Sequence, residues 1–326
     1  MNKVEISAPG KLMLFGEHAV VYGSPCIVTA VDQRIKVSAA IDSGQSLEIE
    51  APDVGLSDCL LGIDNLKDNN DLPKGARFVA AAVGNFFDRF GIRSGLKIET
   101  LSDFSSEFGF GSSSAVTVGV MKALSELFGV ELKDQELFNL SYKTVLDVQG
   151  VGSGFDLAAA IWGGTLWFVG GGKTILPLKI EEVPVVVGYT GIKADTSTLV
   201  RQVAETKKEH EGVITGIFET ISLGVQEAKI ALEKGNWPRA GELMNINQGL
   251  LEALGVNTRE LSSLIYACRE AGAFGAKLSG AGGGDCMIAL VDDQIKTRVE
   301  EAITKAGGRV LRVKLGAEGV RNESNR

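Results

Sequence analysis

The sequence predicts an α+β protein of two domains: a mixed α/β half over residues 1–182, then a half over 183–326 in which helices are set against an antiparallel sheet. Three observations point there. At 326 residues the chain is longer than one typical core requires. Its hydrophobic content of 44% is mostly aliphatic and small, with only 6% aromatic, which suits alternating strands and helices. Near Glu181-Glu182-Val183-Pro184 the pattern changes from short alternating pieces to long helical periodicities, and the domain boundary is placed there.

In chain order, the first half opens with strand patterns over 4–8, 12–16, 27–30, 35–41 and 47–50. A polar break, Asp68-Asn69-Asn70-Asp71 with Pro73-Lys74-Gly75, leads into a helix over 76–90, and 96–100 reads as another strand. Helical patterns follow over 116–127, 135–147 and 155–161, then a strand over 165–169 and a hairpin signal at Gly170-Gly171-Gly172. The second half begins with a strand over 185–189. Helices follow over 197–208, 213–233, 238–254 and 258–271, then strands over 276–279 and 286–291, a helix over 295–306 and a strand over 310–313. The polar tail 318–326 is expected to fray.

Composition excludes several classes. A net charge of −8 and a pI near 5.1 oppose a nucleic-acid footprint or an anionic membrane surface, so an anionic substrate has to be captured locally. No run of eighteen apolar residues occurs, and Met1-Asn2-Lys3 leads straight into a strand without a signal-peptide pattern; a cytoplasmic protein, complete as written, is expected. Cys26, Cys59, Cys268 and Cys286 lack metal-site spacing, and only His18 and His210 are present, so neither a disulfide framework nor a histidine metal cluster is indicated. No G-x-G-x-x-G follows the first strand, which disfavours a dinucleotide dehydrogenase.

Three glycine clusters carry the chemistry. Gly109-Phe110-Gly111-Ser112-Ser113-Ser114-Ala115 turns directly into an apolar helix. Helix-start amides lack intrahelical partners and sit at the positive end of the dipole, so such a loop suits phosphate; serine hydroxyls can cap, donate to phosphate or hold magnesium. On this stretch alone, an ordinary cap on a core helix fits as well. The second cluster, Ala8-Pro9-Gly10-Lys11 with Gly16-Glu17-His18-Ala19-Val20-Val21-Tyr22-Gly23, places charges at strand ends. The third, Lys277-Leu278-Ser279-Gly280-Ala281-Gly282-Gly283-Gly284, has too many glycines for a plain turn and permits close approach of a ligand or another backbone.

These runs together resemble the GHMP kinases, the superfamily of galacto-, homoserine, mevalonate and phosphomevalonate kinases, in the family's own order along nearly the whole chain. Glu17 to Gly23 and the segment Met244-Asn245-Ile246-Asn247-Gln248-Gly249-Leu250-Leu251-Glu252-Ala253-Leu254-Gly255-Val256 are most similar to the mevalonate-phosphorylating branch. The resemblance implies a GHMP-kinase-like fold with a cleft between the domains, ATP and Mg2+ as cofactors, mevalonate as partner, a homodimer, and transfer of the γ-phosphoryl group to the 5-hydroxyl in isoprenoid precursor synthesis.

By the same matching, Asp156 in Gly152-Ser153-Gly154-Phe155-Asp156 accepts the hydroxyl proton, and Lys11 stabilises the developing alkoxide and the transferring group. Gly109, Phe110, Gly111, Ser112, Ser113 and Ser114 hold the nucleotide phosphates. Glu17, His18, Thr196 and Lys193 contact mevalonate.

The chain departs from the family pattern where a magnesium glutamate is usual, eleven residues before Asp156: that position is Val145, which cannot bind a hard cation. Ser113 remains. Glu107 stands where a glycine is expected, and a carboxylate about 5 Å from a phosphate is repelled by roughly 3 kcal/mol at an effective dielectric near 20. The expectation is that the metal carboxylate has moved to Glu107. Asp147 is a second candidate, although two residues along a helix turn it about 200° from Val145. A simpler reading has ATP, water and Ser113 holding magnesium while Glu107 faces solvent. Asp285 closes the third cluster where another glycine is usual and would need a partner such as Lys277. Two alternatives stay open: a kinase of another small alcohol, such as a phosphorylated mevalonate or a sugar, and a nucleotide-binding homologue without catalysis.

Overall fold

Aliphatic alternation over the first forty residues builds two long strands rather than the four short ones expected. The computed structural model describes residues 3–66, 72–180 and 182–324. In it β1 (Lys3–Phe15) pairs antiparallel with β2 (Pro25–Asp42) from Lys3↔Ala40 to Phe15↔Ile27. Register shifts between Pro9 and Lys11 and between Met13 and Phe15 bend β1 where proline and glycine were read as breaks. β2 reaches eighteen residues by changing neighbours. Its 35–42 half pairs with β5 (Gly95–Ser102) and its 25–29 half with β6 (Thr165–Val169).

The sheet continues through β3 (Ser46–Ala51), parallel to β5, to β4 (Leu56–Gly62), an edge strand the sequence reading missed. β7 (Thr174–Pro177) pairs with β6 after the Gly170–Gly172 turn, as the glycine run suggests. The break at Asp68 to Asp71 and Glu181 of the boundary lie outside the described residues.

Helices α1 (Lys74–Phe90), α2 (Ser112–Leu127) and α4 (Phe155–Trp162) pack on this sheet, and α3 (Asp134–Gln149) packs against all three. α2 is apolar around most of its circumference because sheet and helices enclose it. A Cβ at Gly119 would lie 2.7 Å from Val37 Cγ2, so glycine there lets α2 press onto β2 and fixes the depth of its N-terminus.

The second sheet, antiparallel throughout, has the order β11 (Arg309–Leu311), β8 (Val185–Tyr189), β10 (Cys286–Leu290), β9 (Gly275–Ser279). Its helices are α5 (Thr196–Glu209), α6 (Glu211–Glu233), α7 (Trp237–Ala253), α8 (Arg259–Glu270) and α9 (Lys296–Lys305). Among the described residues no helix is long and apolar enough to cross a membrane.

The tail does not fray where it is described. β12 (Arg321–Asn322) pairs with β1, and buried Arg34 donates to the carbonyls of Glu318 and Gly319 and to Ser7. The chain therefore returns to the first sheet after building the second. An arginine nearly 290 residues upstream holds it there, which local composition could not reveal.

A polar seam joins the two sheets between β1 and β9. Ser279 Oγ donates to Met13 O at 2.9 Å and accepts from Met13 N at 3.0 Å. Glu17 and Lys277 form an ion pair that is 1% and 0% exposed, and the Lys277 ammonium also donates to Leu278 O at 2.6 Å. Burial pushes the Glu17 carboxyl up and the Lys277 ammonium down, each opposed by the partner's charge. His18, with φ +60°, donates from Nε2 to Ala281 O at 2.9 Å.

Two outcomes follow from this seam. Lys277→Met leaves a buried carboxylate unpaired and is expected to lower unfolding free energy by about 3–5 kcal/mol in urea titrations, with much of the loss recovered in the Glu17→Gln/Lys277→Met double variant. Burial also holds the His18 imidazole below its ordinary value. Its contribution to stability is therefore present above the unfolded pKa of about 6.5 and is lost as pH falls through the depressed folded value. The urea midpoint should fall from about pH 7 to about pH 5, and His18→Asn should flatten that slope.

Candidate active site

The phosphate loop crosses β1 at its bend. Lys11 N donates to Phe110 O at 2.9 Å, and Lys11 Nζ donates to Gly109 O at 2.8 Å and lies 3.4 Å from Asp156 Oδ1. Lys11 is 7% exposed, and its ammonium stands over the Phe155 ring. Asp156 occupies the first turn of α4, which starts from Gly154 at φ +89°. Its Oδ1 is buried without a hydrogen-bond acceptor role filled. A Cβ at Gly111 would lie 3.2 Å from Lys11 Cε and 3.7 Å from Asp156 Cβ, and φ is +77°, so both space and backbone require glycine where the loop rides over this pair.

Gly111 caps α2, and its carbonyl accepts from the amides of Ser114 and Ala115. The amides of Ser112 and Ser113, one turn too early for intrahelical acceptors, head the helix at the positive end of its dipole. A cavity of about 400 Å³ opens there, lined by Lys11, Ser112, Ser113, Asp156, Lys193 and Thr196 among others. All but one of the expected phosphate-loop residues line it. Phe110 instead buries its ring in the core beside Phe104 and Phe108.

Other expected site residues are placed differently. Glu17 is committed to Lys277 and His18 to Ala281, and neither lines the cavity. Thr196 starts α5, capped by Asp195, and does line it. Lys193 reaches the rim, but its ammonium donates to Ser106 O at 2.8 Å and lies 3.6 Å from Asp285 Oδ1. Asp285 therefore pairs with Lys193 and not with Lys277 as anticipated.

The expected metal carboxylates do not converge. Glu107 sits in a 3-10 turn (Ser106–Phe108) capped by Ser105, is exposed and does not line the cavity. Burial, and after it the Glu107 carboxylate, pushes the Tyr189 phenol up. Asp147 accepts from Asn85 at 2.8 Å and from Lys143 at 2.5 Å, also off the cavity wall. Val145 does line it. Among the described residues no three His, Cys, Asp or Glu side chains gather to hold a metal ion.

The cavity extends past Thr100 and Phe104 to Ala51, Asp53 and Val54, a stretch that sequence reasoning missed because it carries no motif. The third glycine run serves the backbone more than a ligand. A Cβ at Gly282 would lie 2.2 Å from Val256 O and one at Gly284 2.6 Å from Ile192 O, whereas Ser279, Gly280 and Ala281 line the cavity.

Comparison with known proteins gives the family. The family described as GHMP kinases N terminal domain matches residues 77–164, and that described as GHMP kinases C terminal matches 228–309. Mevalonate kinase of Thermococcus sibiricus is 39% identical to this chain over 98% of both chains. The crystal structure of the Methanococcus jannaschii mevalonate kinase superposes with a TM-score of 0.82 at 27% identity, covering 96% of this chain and 98% of that one. That of L. major mevalonate kinase in complex with R-mevalonate gives 0.79 at 26% identity, covering 98% and 97%. With both halves matched and the phosphate loop, Lys11 and Asp156 gathered on one cavity, the chain belongs to the GHMP kinase family.

Proposed function

We propose that this protein transfers the γ-phosphoryl group of ATP to the 5-hydroxyl of mevalonate, giving 5-phosphomevalonate and ADP. The observation that carries the reading is the meeting of Lys11 Nζ and Asp156 Oδ1 at 3.4 Å beneath Gly111, at the mouth of α2. Relatives at 38–39% identity are named mevalonate kinase, which supports the choice of alcohol.

The 5-hydroxyl gives its proton to Asp156 as its oxygen bonds the γ-phosphorus and the bridging oxygen leaves with ADP. Lys11, held by Gly109 O, offers its positive charge to the developing alkoxide and the transferring group without having to reorganise. The amides heading α2 receive phosphate oxygens. The apolar far end at Ile35, Ala51, Val54 and Phe104, with Asp53 at its rim, suits a flat heteroaromatic base. Thr196 brings a hydroxyl from the second domain to the alcohol side.

The Ser113 hydroxyl on the cavity wall is a hard oxygen and fits magnesium, whereas Asp156 Oδ1 faces the Lys11 ammonium at 3.4 Å and is kept for the proton. Ser113 would hold the ion together with phosphate and water oxygens, and when bound it would neutralise charge on the phosphates. Glu107 faces away and is not part of this set.

Asp156→Asn should lower kcat by about 10²–10⁴-fold while leaving ATP binding measurable by calorimetry. Retained turnover would refute the assignment. A panel of small alcohols, including phosphorylated mevalonate and hexoses, tests the substrate by ADP release. For magnesium, Glu107→Gln should leave the half-saturating concentration unchanged, whereas Val145→Glu, which adds a carboxylate to the cavity wall, should lower it several-fold. The readout is rate against free Mg2+ at saturating ATP.

A further inference from the structure

Among the described residues Asp285 is one of three non-glycine residues with positive φ, at +53°, and it is 9% exposed. Glycine would adopt this backbone without strain and would bring no negative charge to a phosphate site. An aspartate held there is explained by what it touches. Its main chain stitches the 190–194 loop to the start of β10: its N–H donates to Ile192 O at 2.8 Å, and its carbonyl accepts from Thr190 N at 3.0 Å and Thr190 Oγ1 at 3.1 Å. Its Oδ1 accepts from Ala194 N at 2.9 Å and stands 3.6 Å from Lys193 Nζ. Its other carboxylate oxygen packs on the phosphate loop, where a Cβ at Gly109 would come within 2.5 Å of Oδ2.

The neighbours of Asp285 act on the same loop. Lys193 Nζ donates to Ser106 O at 2.8 Å, and the Cys286 thiol donates to Phe108 O at 3.1 Å. Lys11 holds the next two carbonyls, of Gly109 through Nζ and of Phe110 through its backbone N–H. Four loop carbonyls are thus tied down by donors outside the loop. A peptide unit is planar and trans, so fixing the carbonyls of residues 108, 109 and 110 fixes the opposite-pointing N–H groups of 109, 110 and 111. That fixed stretch leads directly into the Ser112 and Ser113 amides that head α2.

We infer that Asp285 is a positioning residue for the nucleotide. It holds Lys193, Ala194 and Cys286 of the second domain against residues 106–109, so that the phosphate loop keeps its anion-binding shape only while the second domain is docked on it. The inference deepens the kinase reading above and rests on it.

The test compares wild type, Asp285→Gly and Asp285→Asn for ATP dissociation constant by calorimetry, for KM of ATP and of mevalonate, and for melting temperature. Asp285→Gly removes the contacts and the strain together. It is expected to bind ATP about tenfold more weakly, with KM for mevalonate little changed and melting temperature equal to or above wild type. Asp285→Asn keeps the acceptor for Ala194 and tolerates positive φ, so it should restore most of the ATP affinity. Wild-type ATP affinity in Asp285→Gly overturns the inference alone. So does a loss of affinity accompanied by a fall in melting temperature and an equal rise in both KM values, which marks a merely structural residue. A wild-type protein that binds no ATP overturns the kinase reading and this inference together.

Discussion

The crossing of the phosphate loop over β1 at Lys11 is the constraint on which the site depends. One residue there supplies a backbone donor to Phe110, an ammonium to Gly109 and a cation facing Asp156, so strand, loop and α4 share a single anchor. Such closeness is possible because Gly10 and Gly111 lack side chains: a Cβ at Gly10 would stand 3.0 Å from Phe110 O, and one at Gly111 would press on Lys11 itself. The bend in β1 between Pro9 and Lys11 turns the lysine into the cleft instead of along the sheet. Buried but hydrogen-bonded, its charge keeps enough compensation to remain in an interior that would otherwise expel it.

The seam between the sheets then decides which polar residues are left for chemistry. Glu17 and His18 stand in a motif whose charges point, on sequence grounds, to a cleft. Both are drawn instead into the contact with β9 and the 280–284 run, where a buried lysine and a buried carbonyl are their partners. An unpaired carboxylate in that interior would be costly, so the pairing with Lys277 outweighs exposure to the cavity. Their partners belong to the same stretch as Ser279, Gly280 and Ala281, which do line it.

A chain of net charge −8 can still receive a polyanion because its local field differs from its total. The cavity has Lys11 and the start of α2 on one wall. Of its carboxylates, Asp53 already accepts from Ser102 N at 2.6 Å and Asp285 from Ala194 N, so their charge is partly answered by backbone dipoles. Asp156 is the one whose inner oxygen has no hydrogen bond, in keeping with its proposed role as proton acceptor.

The glycine-serine helix start and the second half's helices on an antiparallel sheet were legible in the sequence from local backbone and periodicity, whereas Lys11 and Asp156 stood out only through the resemblance to the GHMP kinases, since an acid in a first turn is equally a cap; the structure brings the two together on one cavity. What lay beyond reach was every choice between partners distant in the chain. Whether β1 ended or bent at Pro9, whether the tail at 318–324 frayed or docked on Arg34, and whether Glu107 faced phosphate or solvent depended on surroundings assembled from elsewhere. The sequence by itself determined the chemistry on offer, since side-chain identity and short-range backbone geometry are encoded locally. The tertiary structure alone decided which charges were consumed in holding the domains together and which remained for a substrate, because desolvation and pairing act between residues as far apart as Glu17 and Lys277.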